Sequence, residues 1–238
     1  MTGQEFEHIR LERFDDGVAR LTIDRPERMN AITAQSFAEI GEAARMLRRE
    51  GARALVLTGA GDRAFCAGYD LAEVPALRAA SVPAFLDIED TASGAVHAIA
   101  ALPFPVVAAV GGAASGGGLS LALAADIRIA APHAVLNAAF VRVGFSIGEL
   151  GTSWMLTRLV GPGLAAELSF TGRLVDAAEA LEIGLVERIA APGAVQEEAL
   201  ALAREAAAQH LGKRSLRRAT ETASYASWLD DAPRGGER

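Results

Sequence analysis

Apolar and polar positions alternate near the start of the chain: Ile9 and Leu11, then Val18, Leu21 and Ile23, on either side of Asp16-Gly17. A period of two about a turn dipeptide predicts a β-hairpin over residues 8–24, ended by Pro26. The period then lengthens. Phe37, Ile40, Ala44 and Leu47 share one face at helical spacing behind Thr33, and predict a capped helix running to residue 49. Ala54-Leu55-Val56-Leu57 is a short continuous apolar run stopped by Gly59-Ala60-Gly61. Such a run suits a strand covered on both faces. Residues 71–82, broken by Pro75 and met by Pro83, read as a mobile helix or a lid.

A helix over 84–102, a strand over 106–110 and a glycine-rich stretch over 111–118 come next. They lead into an apolar helix over 119–125 and short strands over 127–130 and 134–137. Beyond Gly148 the pattern turns mostly helical, over 152–160, 163–171 and 177–182. A last strand over 186–189 and helices over 195–209 and 215–228 complete it, before a charged, Pro/Gly-containing end at 230–238 that reads as disordered. Strands alternating with helices, then helices alone, define an α/β class.

Composition narrows the function. The 238 residues are 51% hydrophobic and 22% charged, a globular balance that excludes wholesale disorder. A formal charge of −7 argues against a general nucleic-acid binder. The most apolar stretch, 98–125, is broken by Pro103, Pro105 and a glycine-rich run, so it reads as buried core, not a membrane span. The first residues are charged and carry no apolar signal-peptide segment, and Cys66 is the single cysteine. Both fit a cytoplasmic protein.

Several stock motifs are excluded. The run GGAASGGG at 111–118 lacks the Lys-Ser/Thr of a P-loop and the spacing of a dinucleotide fingerprint. Ser115 does not stand in a nucleophile elbow. His8, His97, His133 and His210 are far apart, so no metal site is expected. What remains is two glycine-containing turns, AFCAGYDL at 64–71 and Gly116-Gly117-Gly118 ahead of a helix. Their glycines either bring backbone N–H groups to a ligand or serve only close strand-to-helix packing.

Those turns belong to a longer ordered series: RPERMNA at 25–31, VLTG at 56–59, AFCAGYDL at 64–71, PVVAAV at 105–110, ASGGGL at 114–119, ADIR at 125–128, RLVG at 158–161, LSFTGR at 168–173 and ALEIGLV at 180–186. The series resembles the enoyl-CoA hydratase/isomerase family, the crotonase superfamily. The resemblance implies a spiral of ββα turns over 1–190, a C-terminal helical region over 191–238, and trimers or paired trimers. It implies an acyl-CoA thioester as substrate, with no cofactor beyond that CoA. It places the two oxyanion-hole N–H groups on Tyr69 and Gly117, and the CoA-binding edge on Arg28, Ala67, Asp70 and Leu71. Asp70, a short acidic residue ahead of a helix, also suits a turn-fixing role.

The reaction is narrowed by departures from the family. The two hydratase glutamates map to Ser120 and Phe140, neither of which can act as a general base near neutral pH. A different carboxylate, Glu149, stands in GFSIGELGT at 144–152, where isomerases of the family place an acidic residue. Glu149 is therefore expected to shuttle protons in a double-bond shift of an enoyl- or dienoyl-CoA, the bland alternative being a helix cap. Dehalogenation with His97 as base, thioester hydrolysis, C–C cleavage and plain acyl-CoA binding are the other readings. Asp87, Glu89 and Asp90 offer a second acid/base group or, more simply, a solvated helix face. Lys213, Arg214, Arg217 and Arg218 either hold CoA phosphates or lie solvated at a helix end.

Overall fold

The computed structural model describes residues 6–209 and Lys213. The N-terminal hairpin is β1 (Ile9–Arg13) against β2 (Val18–Ile23), antiparallel, with Leu11 opposite Leu21. Helix α1 (Ala34–Glu50) follows a full capping box: the Thr33 side chain accepts from the Ser36 N–H, and the Ser36 side chain accepts from the Thr33 N–H. It ends on Gly51 at φ +73°.

The chain then repeats one pattern. A buried strand enters a large sheet, a short strand enters a second sheet, and a helix returns. β3 (Ala54–Gly59) is followed by β4 (Ala64–Cys66), then α2 (Val74–Ala79) and α3 (Val82–Ala100). β5 (Val106–Val110) is followed by β6 (Ala113–Ser115) and α4 (Gly117–Ala124). β7 (Ile127–Ala130) is followed by β8 (Val135–Asn137) and then the helices α5 (Thr152–Val160) and α6 (Pro162–Thr171). The large sheet has the order β1-β2-β3-β5-β7-β10, closed by β10 (Arg188–Ile189). The small one has the order β4-β6-β8-β9, with β9 (Val175–Asp176) leading into α7 (Ala177–Glu182). The repeats suit a parallel sheet: β3 and β5 are near-continuous apolar runs, as strands covered on both faces are. This is the ββα spiral, in an α/β fold.

Helix α8 (Val195–Ala208) lays Ala199, Ala203 and Ala207 against β3 and β5. Three alanines at i, i+4 and i+8 let it approach the sheet closely. The expected helix over 215–228 lies outside the described residues. Among them, no helix is long and apolar enough to cross a membrane.

Three differences from the sequence expectations matter for the site. Strands β4 and β6 replace what reads as loop, and pair in parallel, Cys66 beside Ala114. Helix α4 begins at Gly117, not 119. Pro83 starts α3 instead of interrupting it, standing in the first turn behind the Ser81 cap, where a missing N–H costs nothing.

Candidate active site

Because β4 and β6 are neighbours running the same way, the turns that leave them lie side by side. Ile32 donates to the Gly68 carbonyl (2.8 Å) and accepts from the Asp70 N–H (2.8 Å). That ladder leaves the Tyr69 N–H on the opposite side of the chain. Gly68 has φ +97°, and a Cβ there would lie 2.8 Å from the Ser115 carbonyl oxygen and 3.7 Å from the Gly117 nitrogen. No side chain fits between the two turns. Gly117 opens α4, so its N–H has no partner within the helix. Neither the Tyr69 nor the Gly117 N–H donates to any other described residue. Gly118 answers to packing alone: a Cβ there would sit 2.1 Å from the Cys66 carbonyl.

Both turns line a cavity of about 410 Å³, whose walls are mainly apolar and include Phe37, Leu77 and Phe140. Glu149 reaches the same cavity. It opens a single 3₁₀ turn, Glu149–Gly151, in which Leu150 takes φ +57° and Gly151 φ +71°. A leucine in the left-handed region costs on the order of 1 kcal/mol and persists where its surroundings hold it. Here Leu150 is buried, and its Cδ1 would lie 3.3 Å from a Cβ on Gly117. The strained turn thus brings the Glu149 segment onto the Gly117 turn.

A chain of hydroxyls ties the two together. Ser120 Oγ and Thr152 Oγ1 lie 2.5 Å apart and share one proton, with the Gly116 carbonyl 3.2 Å from Ser120 and the Glu149 carbonyl 3.1 Å from Thr152 as acceptors for the other. Ser120 is fully buried in this chain, whereas Phe140 faces the cavity. Burial pushes the Glu149 carboxyl above its ordinary range, the Ser146 N–H on its Oε1 (3.1 Å) pulls it partly back, and the charge of Glu89 adds to the rise.

Of the three carboxylates the sequence offers as a second acid/base group, the structure singles out Glu89. It lies half-buried on α3 and lines the cavity, while Asp87 and Asp90 are exposed. The signal was there: Glu89 continues the stripe of Ala92, Val96 and Ile99, all buried, so it falls on the inward face. His97 is exposed and does not reach the cavity, which removes the base that a dehalogenase-like reading needs.

Of the expected CoA-edge residues, Ala67 and Leu71 line the cavity, but Asp70 and Arg28 do not. Asp70 holds the turn. Its carboxylate lies behind the turn, paired with Arg28 (2.9 Å) and Arg25 (3.0 Å) and accepting from the Ala72 N–H (3.0 Å). The Arg28 guanidinium foremost, with Ala72 and Arg25, holds its carboxyl down to about 2 against the opposing effect of burial. A carboxyl depressed on folding stabilises the fold above the unfolded value near 4, and that contribution is lost as pH falls from 4 toward 2. Asp70→Asn should cost about 2 kcal/mol at neutral pH, read as a lower denaturant midpoint. The cost should vanish in acid, and a constant cost from pH 7 to pH 2.5 would contradict the assignment.

Tyr69 is half-buried, and its O–H donates to Glu73 (3.0 Å). Burial and Glu73 push its phenol upward, so its side chain is no acid here. Lys213 pairs with Asp126 (2.6 Å) and donates to the Phe104 carbonyl (2.9 Å). Arg214, Arg217 and Arg218 lie outside the described residues. Among those described, no group of three His, Cys, Asp or Glu side chains is placed to hold a metal.

The enoyl-CoA hydratase/isomerase family profile matches residues 13–228. The chain is 37% identical over 212 residues to the crotonyl-CoA hydratase of Syntrophomonas wolfei, covering 89% of this chain and 78% of that one. Its fold superposes on the crystal structure of an enoyl-CoA hydratase from Mycobacterium smegmatis with a TM-score of 0.86, at 33% identity over 95% of this chain and 88% of that one. For an enoyl-CoA hydratase from Bacillus anthracis the TM-score is 0.83, at 30% identity over 94% and 87% of the two chains. The aligned stretches span between 64% and 78% of the curated relatives' lengths. The chain belongs to the enoyl-CoA hydratase/isomerase family of the crotonase superfamily. That family is defined by the ββα spiral and acts on acyl-CoA.

Proposed function

We propose that this family member shifts the double bond of an enoyl- or dienoyl-CoA, with Glu149 as base and the Tyr69 and Gly117 N–H groups holding the thioester oxygen. One observation carries this: the two unpartnered N–H groups and Glu149 share a single, mainly apolar cavity. Two donors converging on the thioester oxygen stabilise the enolate left when an adjacent carbon loses its proton. A shift of the double bond is proton removal at one carbon and return at another. A half-buried carboxylate with a raised pKa is a stronger base than a solvated one. Ala67 and Leu71 stand at the edge where the CoA would enter, and the CoA of the substrate is the only cofactor called for.

The names of the relatives favour hydration as the second reading. Against it, Ser120 spends its hydroxyl on Gly116 and Thr152, and Phe140 offers no hydrogen-bonding group at all. The two readings part on two substrates. Purified protein should convert 3-hexenoyl-CoA to the 2-enoyl isomer and hydrate crotonyl-CoA at trace rates at most. Rapid 3-hydroxyacyl-CoA formation from crotonyl-CoA would establish the hydratase instead.

The same proposal makes the protein a cytoplasmic enzyme of fatty acyl-CoA metabolism and a homotrimer or hexamer. Trp154 and Phe170 are exposed apolar side chains that such an assembly could cover. Light scattering at micromolar concentration should give three or six times the chain mass, and a stable monomer would contradict it.

A further inference from the structure

The cavity holds two carboxylates, and the mechanism just given uses one. Helix α3 packs on the 3₁₀ turn of Glu149, and from that helix Glu89 lines the same cavity as Tyr69 and Gly117. The two groups interact, since Glu89 raises the Glu149 carboxyl. Their surroundings differ in kind. Glu149 accepts an N–H from Ser146 (3.1 Å), which favours its ionised form. Glu89 accepts no hydrogen bond from any described residue, and no cation pairs with it. Burial and the neighbouring charge of Asp90 both favour its protonated form. The Tyr69 O–H cannot supply it, being committed to Glu73. Arg142, also at the cavity wall, is exposed. Two carboxyls set apart in this way divide into a base and an acid.

We infer that Glu89 is a second catalytic group, the acid that returns a proton to the substrate after Glu149 has removed one. The inference rests on the isomerase proposal above. With a 3-enoyl-CoA, the Glu149 carboxylate takes a proton from carbon 2. The C–H pair enters a dienolate whose charge rests on the thioester oxygen at Tyr69 and Gly117. As that charge returns, carbon 4 takes the proton of Glu89 and the double bond settles between carbons 2 and 3. Glu149 is left protonated and Glu89 ionised, and one proton passed between them resets the site. No oxidant, reductant or second substrate is consumed.

The experiment follows 3-hexenoyl-CoA in deuterated buffer, reading isomer formation and deuterium at carbon 2 of recovered substrate. Glu89→Gln should slow isomerisation by about 10²-fold while carbon 2 exchange continues, so exchange rises relative to turnover. Glu89→Leu, which keeps bulk and suits an apolar wall, should give the same split should the amide perturb folding. Glu149→Gln should lose both signals. Unchanged isomerisation in a folded Glu89 variant would overturn the inference and leave the isomerase proposal standing. Exchange lost in step with turnover would place Glu89 at proton removal and overturn its role as donor. A wild-type protein that neither exchanges nor isomerises overturns the isomerase proposal and, with it, this inference.

Discussion

Glu149→Gln should lower isomerase turnover by about 10²–10⁴-fold with acyl-CoA binding retained, because the amide keeps the size of the side chain and cannot accept the proton. The Ser146 N–H can still bond the amide oxygen, so the 3₁₀ turn should hold its shape. The wild-type rate should climb with pH as Glu149 ionises, and do so at higher pH than for an exposed glutamate, since burial raises it. Turnover and solvent exchange that both persist in the variant would move the base elsewhere.

Gly117→Pro should cost about 10²–10³-fold in turnover, roughly 2.7–4 kcal/mol, by deleting one of the two proposed oxyanion donors. The fold should survive. Gly117 is the first residue of α4, where proline is tolerated, and the nearest atom to a new Cβ is Leu150 Cδ1 at 3.3 Å, the end of a side chain that can give way. Gly117→Ala is the control: it adds the same Cβ and keeps the N–H, so most activity should remain. Equal loss in the two variants would assign the effect to crowding against Leu150. At Tyr69 the donor is again backbone, so truncating that side chain should be mild by comparison.

The long elements were legible because each carries many redundant signals. The strand over 54–59 is apolar at nearly every position, and α1 has its stripe, its Thr33 cap and Gly51. The short strands β4, β6 and β9 were not, since two or three residues hold no period and their pairing comes from the spiral itself. That gap bears on the site, for the β4–β6 pairing is what sets the Tyr69 and Gly117 turns together. Glycine spacing alone left those turns open between ligand binding and packing, and the structure divides the roles: Gly117 keeps an unpartnered N–H, while Gly118 lies against Cys66. Asp70 was read as a CoA-edge residue because its arginine partners are over forty positions away in sequence and only the fold joins them. Glu89 was offered as an acid/base group only together with Asp87 and Asp90, and was not singled out because those two flanking carboxylates do face solvent.

The most direct test of the proposed chemistry is a crystal structure with an unreactive saturated acyl-CoA bound. The thioester oxygen should lie within about 3 Å of both the Tyr69 and Gly117 nitrogens, with a Glu149 carboxylate oxygen against the carbon beside the carbonyl. A thioester bound away from these two nitrogens, or a Glu149 side chain turned from the acyl carbons, would contradict the account.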